Sequence, residues 1–446
     1  MLMRNFIVSK FGGSALASPD MAKKTAEIIK SDPARRYIFV SAPGRRFKND
    51  LRVTDLLYLT HSRFKSRENY DETLNQVKER FTDIIQGLGV DFNIDAEIDV
   101  IKRNLLSGKV SEEIASRGEY IMAKILSLYL DWQFVDASEI VFFKIDGTLD
   151  LDKTLERSEM RLRNVNHAII PGFYGSMPGG GIKTFSRGGG DISGALVARA
   201  VKADLYEKWS ETTEVFTADP SIVDNPHKIR YVTYMELLEL TYMGIKVVYE
   251  DVIQLLQGEK IPISIRNIYN PLDKGTLITE NLPEDSYRGV AACIAGQRHY
   301  KLIRIDKFGL NKLHGIGEKV FGIFARHGIS CEHYVSGIYN FCIIVRNMVF
   351  DLNRAQIFDE IRKAINPEGI TIENDLSLIA IIGKGMGTVK GIFARIFDAI
   401  AGVGVKIHFI SQGADELNIV LGVYDVDFEK TIKALYDAMI LTEKED

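Results

Sequence analysis

Residues 6–14 read FIVSKFGGS, and residues 18–30 continue as SPDMAKKTAEIIK. The first run is rich in β-branched and aromatic residues and ends in two glycines, which predicts a strand followed by a tight turn. Ser18 can cap a helix that Pro19 begins, because serine side chains accept hydrogen bonds at helix N-termini and proline is tolerated in the first turn. The stretch therefore predicts a strand, a glycine turn and a helix, in that order.

The same alternation of strands and helices continues to about residue 275. Apolar strand patterns recur at residues 37–43, 166–173, 203–210 and 261–267, and helical patterns such as DISGALVARAV and TYMELLEL lie between them. Continuous apolar strands are typical of a parallel sheet that is buried on both faces. The first part of the chain is therefore predicted to be an α/β sandwich with a mostly parallel central sheet.

From about residue 291 the sequence changes to two similar units. Each contains the motif GIFAR, at residues 322–326 and 391–395, followed by the end of a helix, a glycine and a new strand pattern. Repeats of this size with two helices and four strands form ferredoxin-like βαββαβ modules. Two such modules are therefore predicted after the α/β domain.

Length and charge limit the classes of function. The chain has 446 residues, enough for two to four domains. Its 56 basic and 60 acidic side chains leave a net charge of −4, so no global attraction to nucleic acid or to an anionic membrane is expected. A small molecule is the expected ligand.

Cysteine spacing and the N-terminal segment predict a cytoplasmic protein. Cys293, Cys331 and Cys342 share no C-x-x-C spacing, so neither a disulfide framework nor a zinc site is expected, and no dense carboxylate cluster indicates another metal site. No apolar run approaches the roughly 20 residues that span a bilayer, and residues 1–13 lack the long apolar region of a secretory signal.

The glycine turn of residues 10–14 has the composition of a phosphate site. Phosphoryl transfer requires positive charge and oriented N–H donors around the phosphate oxygens. Lys10 supplies the charge, while Gly12, Gly13 and Ser14 let the backbone approach an anion near a helix N-terminus. The order is the reverse of a Walker A loop, in which the lysine follows the glycines. The motif is short, and an ordinary strand and turn is an equally good interpretation.

A second glycine-rich turn, SRGGGDISG, leads directly into a helix that begins at or near Asp191. Arg187 offers a planar fork for a carboxylate, and Asp191 places a negative charge among cations. The ordinary alternatives are a surface arginine and a simple N-cap. Three consecutive glycines, Gly188–Gly190, favour a binding function, because a cap alone does not require them.

Other patterns are compatible with structural roles. Ser116 and Glu119 have the spacing of a capping box, which predicts that Glu119 caps the helix that follows. The segment SETTEVFTADP at residues 210–220 and the nearby Lys246 fit an ordinary loop and a solvated lysine equally well.

In this order and over nearly the whole chain, the motifs resemble those of the aspartate kinases, members of the amino-acid kinase superfamily. The matching motifs are KFGGS at 10–14, SAPG at 41–44, VTD at 53–55, GE at 118–119 and RGGGD at 187–191, where Gly190 replaces a serine. The C-terminal repeat resembles the two ACT domains of that family, in which the first is inserted within the second. The resemblance implies a catalytic domain at residues 1–290, a first ACT domain at 311–375, and a second formed by 291–310 with 376–446.

The resemblance also implies a reaction and a site. ATP, with Mg²⁺ bound to it, would phosphorylate the β-carboxylate of L-aspartate to give 4-phospho-L-aspartate, the first step of lysine, threonine and methionine biosynthesis. Lys10 and Asp191 would be catalytic. The implied substrate-binding residues are Ser41, Thr54, Glu119, Arg187, Gly188 and Gly189. The implied nucleotide-binding residues are Gly12, Gly13, Ser14, Ser210, Glu211, Phe216, Ser221, Lys246 and Val247.

This sequence departs from the family around the nucleotide. Phe216 and Ser221 stand where the family commonly has a tyrosine and an arginine, and the usual V-L-H-P after the lysine is absent. Two alternative functions therefore stay open: a kinase for another amino-acid carboxylate, and a catalytically weak amino-acid sensor.

Regulation is also implied by the resemblance. An amino acid, lysine rather than threonine, would inhibit through the ACT repeats of a homodimer or homotetramer, near Ser330 and Glu332. Gly337 and Ile338 replace the family's serine and glutamate farther along that segment.

Overall fold

The computed structural model describes residues 6–186, 188–211, 215–245, 247–283 and 291–441. Within these residues the chain forms two compact units. The first falls within Met1–Val215, Lys228–Leu238 and Lys246–Ser286, and the second within Phe216–His227, Glu239–Ile245 and Tyr287–Asp446. Two short segments thus belong to the second unit although they precede the predicted boundary at residue 290.

The first 283 residues hold the strands and helices of the α/β region. The strands are β1 (Ile7–Phe11), β2 (Arg35–Val40), β3 (Gln133–Phe134), β4 (Ala168–Pro171), β5 (Tyr174–Ser176), β6 (Ile182–Thr184), β7 (Leu205–Ser210), β8 (Tyr231–Thr233), β9 (Ile263–Asn267) and β10 (Thr276–Thr279). The helices are α1 (Pro19–Lys30), α2 (Val53–Lys65), α3 (Asp71–Leu88), α4 (Ile94–Leu106), α5 (Ser111–Ala115), α6 (Arg117–Leu130), α7 (Leu151–Leu162), α8 (Gly189–Ala200), α9 (Tyr234–Tyr242) and α10 (Glu250–Gln257).

A central sheet organises the first unit, with strands in the order β3-β4-β2-β1-β7-β9-β10-β8. Every neighbouring pair is parallel except β9 and β10. The backbone N–H of Met21 donates to Ser18 Oγ at 3.3 Å, which confirms the predicted cap of α1. The mostly parallel sheet predicted from the sequence is confirmed.

Helices cover both faces of this sheet. On one face Phe11, Ile38 and Trp209 pack with apolar residues of α1, α3 and α6 in a continuous buried core. On the other face α8 packs against β1, β2 and β7, and the hydroxyl of Tyr206 donates to the backbone carbonyl of Asp191 at 3.1 Å. Burial on both faces explains why β4 and residues 37–40 of β2 read as unbroken apolar runs.

The second unit contains a six-stranded antiparallel sheet in the order β12-β13-β11-β14-β16-β15. Its strands are β11 (Cys293–Asp306), β12 (His333–Ser336), β13 (Asn340–Arg346), β14 (Gly369–Ile382), β15 (Phe409–Gln412) and β16 (Asn418–Tyr424). Its helices are α11 (Ile316–Arg326), α12 (Asn347–Ile365), α13 (Ile392–Gly402) and α14 (Phe428–Tyr436).

Two separate cores divide this sheet into halves. One core surrounds Ile303 and Phe324, and the other surrounds Ile379 and Ile396. The long strands β11 and β14 run through both halves, and the register between them shifts after Gln297. The segment at residues 291–310 therefore contributes to both halves of the sheet. The ferredoxin-like fold is confirmed, whereas the domain boundaries stay predictions.

Candidate functional site

A cavity of about 570 Å³ lies in the first unit, where β1, β2 and β7 reach their carboxyl ends. In open parallel sheets this edge is where ligands commonly bind. The cavity brings together predicted residues from seven separate segments: Lys10, Gly12, Gly13, Ser14, Ser41, Thr54, Glu119, Gly188, Gly189, Asp191, Ser210, Glu211 and Val247. Residues that the sequence did not single out, among them Arg45, Arg52, Lys208 and Tyr249, also line it.

A close backbone approach shapes the floor of the cavity. The N–H of Gly44, after β2, donates to the carbonyl of Gly13, after β1, at 2.8 Å. A Cβ on Gly44 would lie 2.5 Å from the carbonyl carbon of Gly13, so a side chain cannot be accommodated there without moving the backbone. Glycine at position 44 therefore lets the turns after β1 and β2 meet.

Arg80 supports the same loop from behind. Its buried guanidinium donates to the backbone carbonyls of Ala17 and Gly44, and to the Asp50 carboxylate at 2.9 Å. Burial would raise the pKa of Asp50, but hydrogen bonds from Arg46 and the charge of Arg80 outweigh it and lower that pKa to about 2. The loop that carries Arg45 and Arg52 is thus fixed by an ion-pair network outside the cavity.

Asp191, in the first turn of α8, is held between two lysines. Its Oδ1 lies 2.9 Å from Lys10 Nζ, and its Oδ2 lies 2.7 Å from Lys208 Nζ. Burial alone would raise the pKa of Asp191, but the two ammonium groups outweigh it and lower the pKa to about 2. Asp191 is therefore ionised at neutral pH and holds both lysines at the cavity.

Lys208 is a cavity residue that was not predicted from the sequence. It lies on β7 directly beside Lys10 on β1, and its neighbours Glu207 and Trp209 point to the other face of the sheet. There Glu207 accepts hydrogen bonds from Arg35 Nε at 2.7 Å and from Trp209 Nε1 at 2.9 Å. Two adjacent charged residues, Glu207 and Lys208, inside one strand pattern were the available signal, because buried charges require partners.

Glu119 lies in the first turn of α6 but does not cap it. The Ser116 side chain makes no cap hydrogen bond and instead donates to the carbonyl of Glu113, so the predicted capping box is wrong. The carboxylate of Glu119 faces the cavity, where Thr54 Oγ1 donates to Oε1 at 3.5 Å. Among the described residues, Oε2 has no hydrogen-bond partner although it is buried.

The pKa of Glu119 is raised to about 7. Burial is the main cause, and it outweighs the hydrogen bonds from the backbone N–H of Ala42 and from Thr54, together with the charge of Lys10. An unpaired buried carboxylate favours its neutral form. A ligand that brings a cation to Oε2 would reverse this preference.

Four of the predicted nucleotide-binding and substrate-binding residues are absent from the described lining of the cavity. Arg187 and Lys246 lie outside the described residues. Phe216 and Ser221 belong to the second unit, where the Phe216 carbonyl accepts from Cys293 Sγ and Ser221 Oγ donates to Asp219 at 2.7 Å. Their assignment to the nucleotide site stays a prediction.

The predicted effector residues lie in the second unit. Ser330 is exposed. Glu332 is nearly buried, and its carboxylate accepts a hydrogen bond from Tyr242 at 2.6 Å and lies 3.5 Å from Arg346 Nε. The carboxylate therefore already has partners in this conformation, and its role in effector binding stays a prediction.

The described residues lack two features. They contain no helix of the length and apolar character needed to cross a membrane. They also contain no group of three or more His, Cys, Asp or Glu side chains arranged to hold a metal ion.

Comparisons with known proteins agree with this architecture. The pattern of the amino acid kinase family matches residues 5–267, and that of an ACT domain matches residues 379–439. Aspartokinase 3 of Bacillus subtilis is 31% identical over 444 residues, which cover 96% of this chain and 97% of that protein.

Two crystal structures share the fold. The aspartate kinase of Clostridium acetobutylicum, described as an allosteric enzyme, is 39% identical with a TM-score of 0.89 and covers 98% of this chain and 100% of its own. Aspartokinase III of Escherichia coli, crystallised with aspartate and ADP, is 22% identical with a TM-score of 0.73 and covers 97% and 99%. The Bacillus protein matches this chain over most of the length of both proteins, and the family pattern matches residues 5–267. This chain therefore belongs to the amino acid kinase family, among its aspartokinases.

Proposed function

We propose that this protein transfers the γ-phosphoryl group of ATP to the β-carboxylate of L-aspartate. One carboxylate oxygen forms a bond to the γ-phosphorus as the bond from that phosphorus to the β,γ-bridging oxygen breaks, which gives 4-phospho-L-aspartate and ADP. The observation that carries the proposal is the pairing, in one cavity, of a lysine cluster suited to phosphates with a buried carboxylate suited to an ammonium group, one oxygen of which has no partner among the described residues.

Lys10 is the proposed catalytic cation. Its ammonium lies at the end of β1 beside Gly12 and is held by Asp191 at 2.9 Å. A fixed cation at the phosphates stabilises negative charge that moves onto the leaving oxygen, without the cost of reorganising solvent. Asp191 orients Lys10. The N-terminus of α8 adds a favourable dipole for an anion at the same place.

Glu119 is the proposed partner of the substrate α-ammonium. Its Oε2 is buried and has no partner among the described residues, so an ammonium would satisfy it and return the carboxyl to its ionised form. Arg187 is proposed to bind the α-carboxylate, and Ser41, Thr54, Gly188 and Gly189 to line the pocket. Holding both charged ends of a small zwitterion would orient the remaining carboxylate toward the phosphate.

The nucleotide is proposed to lie along Gly12, Gly13, Ser14, Ser210, Glu211 and Val247, with Phe216, Ser221 and Lys246 as further predicted contacts. Mg²⁺ is proposed to enter with ATP and to neutralise charge on the phosphate oxygens. Activity should therefore disappear in excess chelator and return on addition of Mg²⁺. A cytoplasmic location stays a prediction.

The decisive experiment is an ATP-dependent hydroxamate assay, in which hydroxylamine traps the acyl phosphate. L-Aspartate should give product, whereas N-acetyl-L-aspartate, which has no ammonium group for Glu119, and L-glutamate should give little. Product with the acetylated substrate would favour the alternative of a kinase for another carboxylate. ATP binding with no product from any of the three would favour the amino-acid sensor.

Regulation through the second unit is part of the proposal. Its ferredoxin-like halves add nothing to the chemistry of the cavity, and an inhibitor needs only a coupling free energy of about 1–3 kcal/mol between two conformations. Millimolar lysine should inhibit the enzyme more strongly than threonine does, and the enzyme should be a dimer or tetramer. Glu332→Gln should raise the lysine concentration that is needed for inhibition. The full chain is the material to use, because residues 216–227 group with the second unit and would lose their packing on truncation after residue 290.

A further inference from the structure

The lysine that the sequence analysis missed, Lys208, occupies an unusual position in the fold. It lies in the middle of the sheet, on a strand paired on both sides, and its side chain is 13% exposed. That exposed part opens into the cavity. A lysine placed there for stability alone would be costly, since an ammonium is expensive to remove from water.

The charges around Lys208 do not cancel. Asp191 contributes one negative charge, and Lys10 and Lys208 contribute two positive charges to the same cluster. Lys208 Nζ also donates to the neutral backbone carbonyl of Val247 at 2.7 Å and lies 5.9 Å from the centre of the uncharged Tyr249 ring. These three side chains therefore leave one net positive charge at the cavity wall, which an anionic ligand can neutralise.

The position of the two lysines indicates which anion. Lys10 and Lys208 lie side by side, in register, on adjacent parallel strands. Each is held by one oxygen of the Asp191 carboxylate. A Cβ on Gly12 would lie 3.8 Å from Lys10 Nζ and 3.8 Å from Ser210 Cβ, so the glycine turn lies between Lys10 and the end of β7. Two ammonium groups fixed side by side next to a glycine turn match neighbouring phosphates of one nucleotide.

We propose that Lys208 binds the phosphate chain of the nucleotide directly, as a second cation beside Lys10. This inference rests on the proposed function for the identity of the reaction, but it concerns only the nucleotide side of the cavity. Lys10 and Lys208 together contact the phosphates, while Asp191 keeps the two ammonium groups apart and fixed. Glu119 binds the other substrate and is independent of Lys208.

The test compares Lys208→Met with Lys208→Arg, and with Lys23→Met as a matched loss of an exposed lysine on α1. Binding of ATP, inorganic tripolyphosphate and adenosine to the full chain is measured by calorimetry, and Michaelis constants are measured for ATP and aspartate. Losing one charge-assisted hydrogen bond to a phosphate should weaken ATP and tripolyphosphate binding about tenfold to hundredfold. Adenosine binding and the aspartate Michaelis constant should change less than about threefold, and Lys208→Arg should recover part of the ATP affinity.

Two results would overturn the inference. Wild-type affinity for ATP and tripolyphosphate in Lys208→Met would remove Lys208 from the phosphate site. Equal losses for ATP, adenosine and aspartate would show that Lys208 only supports the fold.

A second measurement needs no variant. ATP, but not adenosine, should protect Lys208 of the wild-type chain from acetylation. Mass spectrometry of the peptide that contains Lys208 measures the extent of acetylation. Equal protection by ATP and adenosine would also contradict the proposal. If the wild-type chain binds ATP through Lys208 yet forms no aspartyl hydroxamate, the proposed function fails and the inference survives.

Discussion

Asp191 and Glu119 are two carboxylates of one cavity, and burial acts to raise the pKa of both. Their residues are 3% and 5% exposed, respectively, and for both burial is the largest influence on the pKa. Their pKa values nevertheless differ, at about 2 for Asp191 and about 7 for Glu119. The difference comes from their partners, because Lys10 and Lys208 surround Asp191, whereas the part of the chain that the structure describes gives Glu119 only the hydroxyl of Thr54, backbone N–H groups and the weaker influence of Lys10.

The contrast separates two uses of a buried acid. A carboxylate that already has its cations serves to position them, and here it holds the lysines of the phosphate side. A carboxylate without a close cation is costly when ionised and is suited to receive one from a ligand. The cavity is therefore divided into a phosphate side and an ammonium side, and each prediction below alters one side while leaving the other as the control.

The largest expected effect is on the phosphate side. Lys10→Ala should lower kcat by about 10²–10³ or more, because the cation stabilises charge that develops only during transfer. The melting temperature should stay close to that of the wild type, and Lys23→Ala should be fully active. Steady-state kinetics in the hydroxamate assay measures the effect, and wild-type turnover in Lys10→Ala would remove Lys10 from the mechanism.

The next largest effect is on the ammonium side. Glu119→Gln should raise the Michaelis constant for aspartate about tenfold to hundredfold, as expected for the loss of one charged hydrogen bond, with a smaller change for ATP. Its melting temperature at pH 8 should not fall, because the raised pKa of Glu119 means that ionisation opposes folding above about pH 4.5. A lower melting temperature with unchanged aspartate kinetics would instead indicate a structural role for Glu119.

The two sides also differ in how far the sequence predicted them. Lys10 and Asp191 stand in contiguous glycine-rich motifs, so their local sequence was enough to suggest a phosphate site at Lys10 and a binding function at Asp191. The place of Lys208 beside Lys10 became visible only through the pairing of β7 with β1, which single-sequence patterns do not reveal.

Glu119 was misread because the capping-box spacing is a local signal. The backbone of Ser116 is already helical, with φ −58° and ψ −20°, so its side chain is not placed to cap α6. The contact that defines the environment of Glu119 comes from Thr54, 65 residues earlier in the chain. The alternation of strands and helices, in contrast, predicted five of the eight strands of the central sheet, because burial on both faces leaves a pattern in the longer strands. The short strands β3, β8 and β10 were not predicted.

The pH dependence should distinguish the two sides further. Glu119 with a pKa of about 7 is partly protonated in the free enzyme at neutral pH, and a substrate ammonium binds its ionised form. The Michaelis constant for aspartate should therefore fall as pH rises toward 7 and level off above it, whereas Asp191, with a pKa of about 2, adds no change in this range. Kinetics between pH 5.5 and 8.5 measures this. The same pH profile in Glu119→Gln would assign the titration to another group.

The smallest expected effect concerns the Thr54 hydroxyl, which donates to Glu119 Oε1 over a long distance of 3.5 Å. Hydrogen bonds of this length are weak, so its removal should cost less than about 1 kcal/mol. Because the hydroxyl favours the ionised carboxylate, Thr54→Val should raise the pKa of Glu119 and move the midpoint of the aspartate pH profile upward by less than about 0.7 units.

Thr54→Ser, which keeps the hydroxyl, is the matched control and should retain the wild-type midpoint. The Michaelis constant for ATP should be the same in both variants, because Thr54 contacts the ammonium side alone in the proposed arrangement. A downward shift in Thr54→Val would mean that the hydroxyl stabilises the neutral acid, and Glu119 would then be a hydrogen-bond donor in the free enzyme. A shift of several units would show that Thr54, and not the missing cation, controls the difference between the two carboxylates.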